Sequence, residues 1–146
     1  NAVLARELGL EVRGTFGDHK GTPIGVWGLP PAAIATRDAL ARRVAEVLDL
    51  PAVPRVIAGG PERLERVGIV TGGAGSMTPQ AAASGLDTFI TGEGAHHTFF
   101  DAMEGGVNLI YAGHYATETV GVRALAAHLG QQFDLPFAFH DHPTGL

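Results

Sequence analysis

From residue 66 onward the chain repeats one pattern, and that pattern leaves few folds open. RVGIVTG (66–72), LDTFITG (86–92) and VNLIYAG (107–113) are short, almost wholly apolar runs, each ending at glycine. Segments of helical character separate and follow them: TPQAAASG (78–85), GAHHTFFDAMEGG (94–106) and a longer stretch over about 116–133. Pro79 sits in the first turn of its helix, where a missing N–H costs little. Short strands alternating with helices predict right-handed βαβ units. Strands apolar on both faces belong to a sheet covered by helices on both sides. The predicted class is therefore α/β: βαβ units forming a mainly parallel or mixed sheet covered by helices.

The front half is less regular. NAVLARELGL (1–10) reads as helix, with Asn1 as its cap and Val3, Leu4 and Leu8 at helical spacing. Asp18-His19-Lys20 reads as a solvated loop and GTPIGVWG (21–28) as a strand. A helix begins after Pro30-Pro31, carries Leu40, Ala41, Val44, Val47 and Leu48 as its apolar stripe, and stops at Pro51. VPRVIAGG (53–60) is a further strand, and PFAFHD (136–141) follows the last helix. No tandem repeat or low-complexity linker divides the chain, so residues 1–146 are read as a single α/β unit. A helical pattern that opens at the first residue carries the expectation of a part of a longer protein.

Composition narrows the chemistry. With 146 residues, 45% of them hydrophobic, the chain has material for a core. Net charge is −5 and the only adjacent basic pair is Arg42-Arg43, so the footprint of a nucleic-acid binder is missing. No apolar run has the length of a membrane span and no secretory leader is read, so a cytoplasmic location is expected. Cysteine is absent, which excludes disulfides, thiolate nucleophiles and cysteine-ligated metal sites. A metal site would have to use histidine and carboxylate. Ser76 and Ser84 are the only serines and neither lies in a G-x-S-x-G elbow, so the serine-hydrolase class drops out.

In open parallel sheets, ligands gather beyond the carboxyl ends of the strands. Three such ends carry notable residues: TGGAGS (71–76), TGEGAHH (91–97) and GHYATE (113–118). Glu118 lies one turn before a stripe formed by Val122, Leu125, Ala126, Leu129 and Phe133, so it is expected to face inward. An unpaired carboxylate there would be costly. His114, four residues earlier, reaches the same point, and the two make half of a site for Zn, Mn, Fe or Mg. The alternative stays open: Glu118 complements the helix dipole and His114 is a polar loop residue. The glycines of GGAGS suggest either a backbone nest for an anion or a turn that only glycine fits. Gly72, Gly73 and Gly75, with Glu93 and His97, are accordingly candidates for substrate or phosphate binding. Adjacent helical residues point about 100° apart, so His96 and His97 are not expected to share one ion. His140 and His142 can chelate if the tail is extended, and a flexible tail fits equally well.

These stretches resemble a known family. GGAG, DTFITGE followed by His96-His97, GVNLIYAGHYATETVGVRALAAHL and the closing DHPTGL are similar to the C-terminal portion of the NGG-interacting-factor-like dinuclear metal centre proteins, hexamers also named GTP cyclohydrolase I type 2 homologues. NAVLARELGL extends the similarity to residue 1. The resemblance implies two divalent metal ions per subunit of the intact protein. Their ligands would be an early His-His pair, an Asp, and the His and Glu of the GHY-x-x-E motif, which map onto His114 and Glu118. The pair His96-His97 matches a different, later motif. It further implies a homohexamer with a nucleotide or phosphoester ligand, in which the first three ligands lie upstream of Asn1. The function the resemblance implies is that of a metal-dependent hydrolase acting on a nucleotide or phosphoester; a non-catalytic, metal-stabilised oligomeric scaffold or partner-binding protein is the alternative.

Overall fold

The computed structural model describes residues 1–143; the last three residues of the DHPTGL motif lie outside the described residues. The elements run α1 (Ala2–Leu8), β1 (Glu11–His19), β2 (Thr22–Leu29), α2 (Arg37–Val47), β3 (Arg55–Ala58), β4 (Val67–Ile69), α3 (Thr78–Ala83), β5 (Thr88–Thr91), α4 (Thr98–Gly105), β6 (Asn108–Tyr111) and α5 (His114–Phe133). Short 3₁₀ turns at Ala32–Ile34 and Gly75–Met77 precede α2 and α3. One mixed sheet of six strands has the order β1-β2-β4-β5-β6-β3. At its centre β4, β5 and β6 are parallel and adjacent in chain order, as consecutive βαβ units require. The mixed character comes from the flanks. There β2 runs antiparallel to β4, β1 to β2, and β3 to β6.

Alternation along the strands divides the interior into two cores. Val67, Ile69, Ile90 and Ile110 point to the side covered by α1 and α2, packing with Leu4, Leu8, Leu40 and Val44. Phe89, Leu109, Val70 and Ile57 point to the other side and pack with Ala81 of α3, Ala102 of α4 and Phe16 of β1. Each central strand is thus buried on both faces, which explains its uninterrupted apolar sequence.

Four expectations change. Of the residues read as a loop, Asp18 and His19 are the end of the long strand β1 and only Lys20 lies in a turn: β1 pairs with β2 through a hairpin whose two-residue turn is Lys20-Gly21. Both turn residues have positive φ, 54° and 83°, the geometry that matches the twist of paired strands. Asn1 stands at the head of α1 but does not cap it with its side chain. Instead its Oδ1 accepts from the Thr71 N–H at 2.7 Å, and its amide donates to the Ile24 carbonyl. The helix expected after Pro31 is a 3₁₀ turn followed by α2, whose true cap is Thr36 accepting from the Ala39 N–H. Finally, the apolar stripe of α5 does not face inward. Val122, Leu125, Leu129 and Phe133 are exposed, and α5 contributes Val120 and the buried Thr117 to the packing.

Candidate metal and substrate site

All three glycine-bearing loops lie on the rim formed by the carboxyl ends of β4, β5 and β6, and backbone hydrogen bonds stitch them together. The Gly72 carbonyl accepts from the Gly92 N–H at 2.8 Å, and the Gly92 carbonyl accepts from the Gly113 N–H at 2.9 Å. The Glu93 carbonyl accepts from the Gly75 N–H at 3.0 Å. Two glycines are dictated by this crowding. Gly72 has φ +74°, and a Cβ there would come within 2.5 Å of Glu118 Oε1. A Cβ on Gly92 would lie 2.6 Å from the Cα of His114, so a side chain would push α5 off the rim.

Buried threonines lock the same loops, and sequence reasoning missed them. Thr117 Oγ1 accepts from the Gly72 N–H at 3.0 Å and reaches the Gly113 and His114 carbonyls at 2.9 and 3.0 Å. Thr91 Oγ1 accepts from the Ala74 N–H at 3.2 Å and donates to the Gly72 carbonyl at 3.0 Å. With Asn1 holding Thr71, these residues fix Gly72 against the first turn of α5. The available signal is positional: a threonine at a strand's last residue, and another one turn into the next helix.

His114 stands in the middle of this frame. Its Nδ1 is 2.8 Å from Glu93 Oε1, and its Nε2 is 3.5 Å from Glu118 Oε1. A carboxylate only accepts, so Nδ1 carries the proton shared with Glu93; Nε2 then donates toward Glu118 when the ring is protonated and holds a lone pair when it is neutral. The hydrogen bond to Glu93 raises the imidazole pKa above its ordinary value. Desolvation opposes that effect, and the nearby charge of Glu118 adds to it. Glu118 does not turn into the core as its stripe suggested. Its side chain is 56% exposed and bends over Gly72 toward the ring.

These distances bear on a metal. Donors about 2.0–2.1 Å from a tetrahedral ion stand about 3.4 Å apart, and the 3.5 Å between His114 Nε2 and Glu118 Oε1 suits that spacing. A carboxylate on the remote ring nitrogen is the usual support of a ligating histidine, and Glu93 has that position. The pair fits an ion but provides only two donors. Among the described residues no group of three or more His, Cys, Asp or Glu side chains is arranged to hold a metal. His140 and His142 are exposed in the tail after α5; the backbone of His142 donates to the Tyr115 hydroxyl, which donates to Asp141.

Beside the pair lies an open cavity of about 370 Å³, bounded by Gly73, Gly75 and Ser76 on one loop and Glu93, Gly94 and His97 on the other. Of the five residues proposed from sequence for substrate, four border it, whereas Gly72 lies under Glu118. His96 and His97 precede α4 rather than sitting within it, and both are exposed. Among the described residues no helix is long and apolar enough to cross a membrane.

Comparison with known proteins agrees with the architecture. The "GTP cyclohydrolase 1 type 2 homolog" of Deinococcus radiodurans is 43% identical over 146 residues, covering 100% of this chain and 54% of that protein. The protein of the same name from Halobacterium salinarum is 41% identical, with 99% and 57% covered. Among solved structures, protein ybgI, described as of unknown function, superposes with a TM-score of 0.86 at 36% identity, covering 99% of this chain and 56% of that one. TTHA1606 from Thermus thermophilus gives 0.76 at 39% identity, with 99% and 55% covered. The chain therefore spans a little over half the length of the relatives it matches. A family model described as Duf34/NIF3 (NGG1p interacting factor 3) matches residues 1–144, and with the shared fold and the whole-chain similarity it follows that this chain belongs to the Duf34/NIF3 family.

Proposed function

We propose that the intact protein is a metal-dependent hydrolase acting on a nucleotide or phosphoester, with His114 and Glu118 as two of the ligands of a two-metal centre. One observation carries the reading: Nε2 of His114, whose ring is oriented by Glu93, and the carboxylate of Glu118 converge at 3.5 Å on the strand-end rim. A mixed imidazole and carboxylate set suits Zn, Mn, Fe or Mg. Ions held there by His114 and Glu118 would supply Lewis acidity and a lowered pKa for water near neutral pH. The protein's own part is to aim the two donors and to hold the substrate in the adjoining cavity, where Gly73, Gly75, Glu93 and His97 form the walls. The printed name of the Deinococcus and Halobacterium relatives makes GTP the first substrate to try. Remaining ligands would come from the part of the protein that this chain does not span.

A second reading has its own observation. Val122, Leu125, Leu129 and Phe133 on α5, and Phe99, Phe100 and Met103 on α4, are exposed. Apolar patches of this kind are normally covered by another protein surface, as in a metal-stabilised oligomer that serves as a scaffold. Both readings are tested by assaying the full-length, metal-loaded protein with GTP and generic phosphoesters beside Glu118→Gln. Metal-dependent turnover abolished in Glu118→Gln supports the hydrolase. Absence of turnover with assembly and partner binding unchanged in the variant supports the scaffold.

A further inference from the structure

We propose that the cavity beside His114 and Glu118 receives an uncharged, N–H-bearing part of the substrate and not its phosphate. The proposal rests on the hydrolase reading for the cavity's being the substrate's, and it narrows that reading to the chemistry of the group bound.

The glycine loop has the composition of an anion nest, and a nest works by presenting free backbone N–H groups. Here three of the five N–H groups from Gly72 to Ser76 are already taken. The Gly72 N–H goes to Thr117 Oγ1, the Ala74 N–H to Thr91 Oγ1, and the Gly75 N–H to the Glu93 carbonyl. No Lys or Arg borders the cavity among the described residues, so no side-chain cation in its walls offsets an entering phosphate. Glu93 does border it, and places a carboxylate where a phosphate would be repelled. Of the side chains present, the carboxylate of Glu93 only accepts hydrogen bonds, and the hydroxyl of Ser76 and the imidazole of His97 can accept as well as donate. Glu93 gives Oε1 to His114, and its second oxygen has no protein partner among the described residues. The two facing loops are in backbone contact at the cavity's edge, where a Cβ on Gly75 would stand 2.5 Å from the Cα of Gly94, so the position of Glu93 relative to the glycine loop is fixed. At about 370 Å³ the cavity is within the range of small-molecule sites. A group rich in N–H donors and without charge, such as the amide and amine edge of a heterocycle, complements these walls. Sites built to accept hydrogen bonds from N–H groups discriminate strongly against ligands that lack them.

The experiment titrates full-length, metal-loaded protein by calorimetry with guanosine, an uncharged ring with N–H donors, and separately with inorganic phosphate. Wild type is compared with His97→Ala, a change at an exposed position, and metal content is measured in each sample. The expected result is guanosine binding weakened at least fivefold in His97→Ala, with phosphate affinity within twofold of wild type. No guanosine binding to wild type, unchanged guanosine binding in the variant, or a loss of phosphate affinity as large as the loss for guanosine would overturn the proposal. Failure of the parent reading looks different: a full-length protein that retains no metal, or turns over no substrate with metal bound.

Discussion

Replacing Gly72 by alanine separates what the glycine loop does for the fold from what it does for the site. Two effects are expected, and they are read by different assays. The first is conformational: at φ +74° a residue with a Cβ costs about 1–2 kcal/mol. The second is steric and local. The new Cβ would fall 2.5 Å from Glu118 Oε1 and 3.4 Å from His114 Nε2. The carboxylate is the far end of a flexible, half-exposed side chain, so it swings away at small cost to stability and leaves the ring without its partner. Gly106→Ala is the control, because Gly106 has φ +66° at the end of α4 with nothing within 4 Å of its added Cβ. In urea denaturation both variants should lose about 1–2 kcal/mol. In metal titration of the full-length protein, Gly72→Ala should lose about tenfold or more in affinity, the scale of disrupted ligand orientation, while Gly106→Ala stays within about twofold. Equal metal affinity in the two variants would refute the reasoning, since it would mean that the position of Glu118 over Gly72 does not matter to the ion.

Thr117→Val keeps the shape of the buried side chain but strips the Gly72 N–H of its acceptor, and should destabilise by about 1–3 kcal/mol in urea denaturation. Leu109→Ala empties a fully buried position of the second core and should cost about 2–5 kcal/mol by the same assay. In the metal-free chain, the NMR titration of His114 should have its midpoint above that of a free imidazole, and Glu93→Gln should lower it, because the Glu93 hydrogen bond is the principal cause of the shift. The sign for stability follows: a raised folded pKa stabilises fully below the unfolded value of about 6.5 and the gain fades as pH rises through the folded value, so urea midpoints of wild type and Glu93→Gln should converge on the alkaline side. Residues 1–146 alone, offering two donors at the rim, should bind Zn²⁺ or Mn²⁺ weakly in calorimetry, and tight stoichiometric binding would contradict this.

The parallel centre of the sheet is legible in the sequence because burial on both faces leaves a strong mark: Ile69, Phe89, Ile90, Leu109 and Ile110 form runs that few other structures allow. The hairpin is not, because Glu11, Val12 and Arg13 are exposed and only Phe16 and Gly17 of β1 are buried. A strand with one weakly buried face carries little alternation, and its turn uses Lys20 at positive φ where asparagine or glycine would have announced it.

The candidate site is the sharper lesson, since the spacing that pairs His114 with Glu118 does so on partly wrong grounds. Glu118 is expected to turn inward because it continues the period of Val122, Leu125, Leu129 and Phe133, yet that stripe is exposed. Helical period says that residues share a face; it does not say what the face meets. What brings the carboxylate to the ring is the start of α5 at the sheet rim. Thr117 holds the first turn against Gly72 there, and the i, i+4 spacing lays Glu118 beside His114. Glu93 arrives from a different strand end, 21 residues away in sequence, through pairing of β5 with β6. Spacing within one helix can therefore nominate His114 and Glu118 as a pair, whereas the carboxylate that orients the imidazole depends on sheet order. That order also lets a mostly exposed pair of side chains have a defined geometry: the precision comes from the threonine and glycine backbone contacts underneath, not from burial of the charged groups themselves.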